Sequence, residues 1–263
     1  MWKWIGAATA GLVLAGGIAV ATGADLIHQP PTSELGECRT EPASDSQATI
    51  VVLLGTNASD ANLVDTHLRH LQEVVLPEAA RDGARVIEGT ISGDSERSPT
   101  LVADISFLRT GDGSDNPENQ QTWAEDQKEV FVRCTRSALL GEPADRSDVF
   151  GALAWGSNLL PDHAEMRRIV MLSDAINTTQ GCNLTGRDID SPDGRAAVMA
   201  DCGGADFSGL DATEVWLAGV GLSSGSDSTG TLTPSELEDF WSWFVAEKHG
   251  QVTRAGTTLL PDT

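Results

Sequence analysis

Apolar runs and amphipathic segments alternate along most of the chain. Ile50–Leu54, inside "ATIVVLLG", is an unbroken apolar stretch rich in β-branched residues, the pattern of a strand buried on both faces of a parallel sheet. Leu63, His67, Leu71 and Val75 follow at near-helical spacing, which predicts a helix capped by Ser59 or Asp60. "ARVIEGTIS" and "LVADISFLR" are strand candidates separated by the turn-rich "GDSERSPT", and together they suggest a hairpin at a sheet edge. "NQQTWAEDQKEVFVRCTRSALLG" is helical with Trp123, Val130, Phe131 and Cys134 inward, and "RSDVFGALAWGSNLL" is a further helix that Ser147 would cap. "RRIVMLSDA" and "TEVWLAGVGLS" are two more buried strands. The last helix, "TPSELEDFWSWFVAEKHG", opens on a capping box at Thr233 or Ser235 and stacks Leu237, Phe240, Trp241 and Phe244 on one side. "QVTRAGTTLL" closes as a short strand.

Strands alternating with amphipathic helices predict an α/β fold, a doubly wound, mostly parallel sheet with helices on both faces, Rossmann-like in plan. No internal repeat interrupts it. In such sheets, ligands bind beyond the carboxyl ends of the strands, so the loops after Leu54, Leu172 and Val220 are where function is expected.

The first 47 residues differ from this pattern. Residues 1–24 combine Lys3 with the uncharged stretch Ile5–Ala24 and an Ala19-Val20-Ala21 cleavage-like site, an export segment that fits a signal peptide or an uncleaved signal anchor. Lys3 on one side and Asp25, Glu34 and Glu37 on the other place the remainder outside the membrane. Residues 25–47 form a polar linker rich in Pro, Ser and Glu, and residues 48–263 form the domain. Seventeen basic against 39 acidic residues give a formal charge of -22, which repels phosphate backbones and anionic lipid and excludes nucleic acid as a natural partner. Four cysteines in an exported chain predict two disulfides. Cys182 and Cys202 flank one Gly- and Asp-rich stretch, and Cys38 and Cys134 then pair by elimination.

The polar residues at the predicted strand ends carry the candidate chemistry. "VVLLGTNAS" offers Asn57 and Ser59, "RSDVFGAL" offers Ser147 and Asp148, and "MLSDAIN" offers Ser173 and Asp174. In order and spacing these segments, with "VWLAGVG", resemble a von Willebrand factor type A (VWA) domain over roughly Ala48 to Leu260. That family builds a divalent-cation site from D-x-S-x-S, a helix-opening Thr and an Asp after a later strand. The resemblance implies Mg2+ or Mn2+ held by Asn57, Ser59, Ser147 and Asp174, a protein ligand presenting a carboxylate to the ion, and no chemistry by the domain itself. Gly55 stands where the family has its first Asp, which removes a carboxylate that balances the ion's charge. The plain structural alternative has Asn57, Ser59 and Ser147 closing turns and capping helices while Asp174 accepts backbone donors.

Two other classes compete with this binding module. An exported hydrolase would pair Asp174 with Asp148 or Asp60 as general acid and base; a structural envelope component would need no site. The acidic segments "RTGDGSDNPEN" and "DIDSPDG" lack the ligand spacing of an EF-hand, and the five histidines form no H-x-x-x-H pair. His67 and His70 belong to an ordinary helix. Nucleophile-elbow, P-loop and dinucleotide motifs are absent. Asn57, Asn177 and Asn183 each open an N-x-[ST] triplet. The tryptophans, at helical or strand spacing, are expected in the core rather than on a stacking surface.

Overall fold

The computed structural model describes residues 38–40, 46–56, 61–95, 100–111, 116–141, 144–222 and 232–260. The export segment and the residues Asn57, Ser59 and Asp60 lie outside the described residues. Among the described residues, eight strands and six α-helices follow in the order β1 Ala48–Gly55, α1 Ala61–His70, α2 Leu76–Asp82, β2 Arg85–Ile91, β3 Thr100–Ser106, α3 Pro117–Leu139, α4 Val149–Asn158, β4 Met166–Leu172, β5 Thr178–Thr179, β6 Cys182–Asn183, α5 Pro192–Cys202, β7 Glu214–Ala218, α6 Pro234–Glu247 and β8 Gln251–Gly256.

Six strands form one sheet in the order β3-β2-β1-β4-β7-β8, and β5-β6 is a separate two-stranded ribbon. All pairings in the large sheet are parallel except β2 with β3, the expected hairpin edge. The strand runs lack polar alternation because both faces are covered. Val51, Leu53, Ile169, Met171, Val215 and Leu217 point into one layer, with α4, α5 and α6. Ile50, Val52, Leu54, Val170, Leu172 and Trp216 point into the other, with α1, α2 and α3. This is the doubly wound α/β arrangement anticipated above.

Three local features depart from the sequence reading. The predicted first helix is broken by a π-helical turn, Leu71–Val75, in which the Leu76 amide donates to the Leu71 carbonyl. Pro77 follows directly; it has no N–H and its ring would crowd the carbonyl four residues back, so the widened turn accommodates it. Helix α5 was not anticipated, although Ser191 as N-cap and Pro192 in the first turn are a start signal. Finally, Cys38–Thr40, inside the polar linker, is ordered against the sheet: the Thr40 amide donates to Asp104 O at 2.9 Å and the Asp104 amide to Cys38 O at 3.0 Å. That segment covers the outer edge of β3 and is tied to α3 by the Cys38–Cys134 disulfide. The second disulfide, Cys182–Cys202, joins β6 to the end of α5.

Candidate functional site

Strand order reverses between β1 and β4, so the topological switch point lies where Gly55 and Leu172 end their strands. The two ends approach closely. A Cβ on Gly55 would lie 3.1 Å from Ser173 Oγ and 3.2 Å from the Leu172 carbonyl oxygen, tighter than side chains ordinarily pack. A side chain at position 55 would need the neighbouring strand end to give by a few tenths of an ångström.

Asp174 stands at the rim beside Ser173. Its Oδ1 accepts from the Ile176 amide at 3.1 Å and lies 3.5 Å from Ser173 Oγ. Its carbonyl accepts from the Gly221 amide at 2.9 Å, linking the loops after β4 and β7. Burial raises the Asp174 pKa, and the bonds from Ile176 and Ser173 offset that only in part. Ala175 is buried with φ of 62°, a left-handed conformation that costs an L-residue about 1–2 kcal/mol. It is held there by the Trp241 indole, which donates to its carbonyl at 2.9 Å.

Ser147 is buried but does not cap α4. Asp148 does: its Oδ1 accepts from the Gly151 amide at 3.0 Å, and its Oδ2 accepts from the Ser95 amide at 3.0 Å. The reason is local. Ser147 exchanges two bonds with Thr178, its amide donating to Thr178 Oγ1 at 2.8 Å and its carbonyl accepting from the Thr178 amide at 2.8 Å, so it lies one residue outside the helix start. Asn177 completes the end of α4, its Oδ1 accepting from the Val149 amide at 2.6 Å and the Phe150 amide at 3.2 Å. Ser147 and Asp174 thus share one end of the sheet, joined through the loop from Asp174 to Thr178.

Of the four residues expected to hold a cation, Ser147 and Asp174 are among the described residues and Asn57 and Ser59 are not. Among the described residues there is no cluster of three or more His, Cys, Asp or Glu side chains suited to a metal. Gly55 contributes no side-chain oxygen, and both carboxylate oxygens of Asp148 accept from backbone amides. A hard cation needs about six oxygen ligands with their charge balanced, and the carboxylates at the described rim are Asp174 and Asp148.

Sequence reasoning missed Asn177, noticed there only as an N-x-[ST] triplet. Its side chain is fully buried, which closes it to glycosylation, whereas Asn183 is exposed. Nothing in the local sequence marks it, because its partners on α4 lie 27 and 28 residues away. Trp216 and Trp241 are buried as expected of core residues, and Trp123 donates to the Ser106 carbonyl at 3.0 Å.

No protein-family model and no curated protein sequence matches the chain. Among solved structures it is similar to the pilus adhesin SpaC from Lactobacillus rhamnosus GG, with 14% identity over 74% of this chain and 27% of that one, at a TM-score of 0.43. The open conformation of the same adhesin gives 15% identity over 77% of this chain and 30% of that one, at a TM-score of 0.38. The chain spans less than a third of the adhesin, and a likeness at this level carries no argument about function.

Proposed function

We propose that the chain is an extracytoplasmic, non-catalytic protein-binding module of the VWA-like, adhesion type, delivered by residues 1–24 to a membrane or beyond it, and that its rim binds a protein ligand without a resident Mg2+ or Mn2+. Two disulfides support an oxidising compartment. The observation that carries the reading is the use of polar groups at the switch point: Asp148 and Asn177 bond backbone amides from neighbouring loops, making a braced rim rather than a pair of poised acids.

The chemistry of the partner follows from charge. A partner carboxylate, the expectation from the resembled family, would face Asp174 on a protein of formal charge -22 with no cation to reconcile them. A ligand presenting N–H donors, from Lys, Arg or amide groups, matches Asp174 directly.

Selection of a displayed random-peptide library on the protein from Asp25 onward, in buffer with Mn2+ and in buffer with a chelator, tests this. Enrichment of basic or amide-rich peptides that ignores the chelator and is lost in Asp174→Ala is expected. Enrichment of acidic peptides that requires Mn2+ would overturn it and restore the cation site. Calorimetric titration of Mg2+, Mn2+ and Ca2+ into the same protein is expected to give no saturable heat.

A further inference from the structure

The rim is assembled from segments distant in sequence, and one buried side chain touches most of them. Asn177 Oδ1 accepts from Val149 and Phe150 at the start of α4. Its Nδ2 donates to Thr179 Oγ1 at 2.9 Å, to the Cys182 carbonyl, and towards Cys182 Sγ at 3.2 Å. Its own carbonyl accepts from the Leu184 amide at 2.9 Å. Cys182 Sγ is in turn bonded to Cys202 at the end of α5, and both cysteines are close to 8–9% exposed, at the edge of the buried core.

We infer that Asn177 and the Cys182–Cys202 disulfide form a redox-sensitive clamp that sets the position of Ser147 relative to Asp174. This rests on the reading of the rim as the binding surface. With the disulfide closed, the β5-β6 ribbon is held against α5, Cys182 stays in reach of Asn177 Nδ2, and the amide plane is fixed so that its oxygen faces α4. Next in sequence, Thr178 exchanges its two bonds with Ser147, so the orientation of Asn177 and the placement of Ser147 are linked through one residue. On the other side, Asp174 lies three residues before Asn177 and is anchored to Gly221. Opening of the disulfide by a dithiol proceeds by thiolate attack on one cysteine sulfur. The mixed disulfide is then resolved by the second thiol, leaving two cysteine thiols and an oxidised, cyclised reagent: two electrons transferred. The ribbon is then held by its backbone and hydrogen bonds without the link to α5, so the Cys182 carbonyl that accepts from Asn177 Nδ2 is less firmly placed. Asn177 is a positioning residue; it does not itself face the ligand.

Amide hydrogen exchange on the full chain reads this without any ligand. In a Cys182→Ser/Cys202→Ser variant, or in the native chain treated with dithiothreitol, exchange at Val149, Phe150 and Thr178 should rise about tenfold or more, while Val170 in β4 is unchanged. Asn177→Ala should do the same with the disulfide intact. Asn177→Asp keeps the acceptor for α4 but loses the donor that orients it, so exchange at Val149 and Phe150 should rise by less than in Asn177→Ala while exchange in the ribbon rises as much. Cys38→Ser/Cys134→Ser should leave the rim amides unmoved. Unchanged exchange at Val149 and Phe150 in both Asn177→Ala and the Cys182/Cys202 variant would overturn the clamp, as would an equal rise on loss of Cys38–Cys134. Loss of rim protection with unaltered affinity for a selected peptide would leave the clamp standing mechanically and overturn the assignment of the binding surface.

Discussion

The two layers that cover the sheet are built on different chemistry. On the α4–α6 side, Phe150, Phe207, Phe240, Trp241 and Phe244 interlock, with Phe150 and Trp241 ring centroids 4.8 Å apart and Phe150 and Phe244 edge-on at 5.0 Å. On the α1–α3 side, the apolar core encloses His67, His70, Glu88, Gln127 and Thr135, all buried. Among the described residues, His67 has no hydrogen-bond partner at either ring nitrogen, and His70 Nδ1, Glu88 Oε1 and Gln127 Oε1 are likewise unpartnered. Buried polar atoms without partners cost free energy, and buried ionisable groups make stability depend on pH. One layer is therefore expected to supply stability that ignores pH, and the other to carry the molecule's pH response.

The largest test of that contrast is Trp241→Ala, which should cost about 3–5 kcal/mol in denaturant unfolding. The loss should be nearly the same at pH 5 and pH 8, since the ring contacts there are with other aromatic rings and the Lys248 ammonium rather than with a carboxyl or imidazole; a loss confined to one pH would break the distinction. Next is Glu88, whose carboxyl is pushed by burial up to about 8, against the bond from Thr135. The folded state then holds a proton the unfolded state has released, so stability should fall as pH rises from about 4.5 towards about 8. Glu88→Gln keeps an acceptor for Thr135 and should gain about 2–3 kcal/mol at pH 8 and little at pH 4.5.

His67 works in the opposite direction. Burial, with His70 nearby, lowers its pKa from 6.5 to about 4, so the unfolded state binds the extra proton and stability should fall as pH drops through that window. His67→Leu should gain about 1–2 kcal/mol at pH 4.5 and flatten the acid limb of the unfolding profile. An unchanged acid limb would assign acid sensitivity elsewhere. The smallest effect belongs to the aromatic side: Ala175→Gly relieves a left-handed backbone but adds freedom to the unfolded chain, for a net gain of about 0.5 kcal/mol at any pH.

The strands, most helices and the doubly wound plan were legible because burial on both faces requires continuous apolar runs such as Ile50–Leu54, and a capping box such as Thr233 with Glu236 leaves a local signature. The π turn before Pro77 and helix α5 had signals too, in the proline and in Ser191-Pro192, but weak ones. His67 and Glu88 gave none: a histidine at helical spacing and an acid in a strand become buried ionisable groups only when α1 and α3 close over the sheet.

The site divides in the same way. Sequence alone determined that the chain alternates strand and helix, that Gly55 ends the first strand without a side-chain oxygen, and that Ser147 and Asp174 stand at strand or helix ends. Those are properties of short segments, set by local pattern and residue type. Tertiary structure decided that Asp148 rather than Ser147 caps α4, that Asp148 is occupied by Ser95, and that Asn177 joins α4 to the ribbon and its disulfide. The Asp148 cap itself spans three residues, but the bonds of Ser147 to Thr178, Asp148 to Ser95 and Asn177 to Val149 join groups 28 to 53 residues apart, and such bonds have no periodicity or neighbouring residue to announce them until the sheet brings their strand ends together.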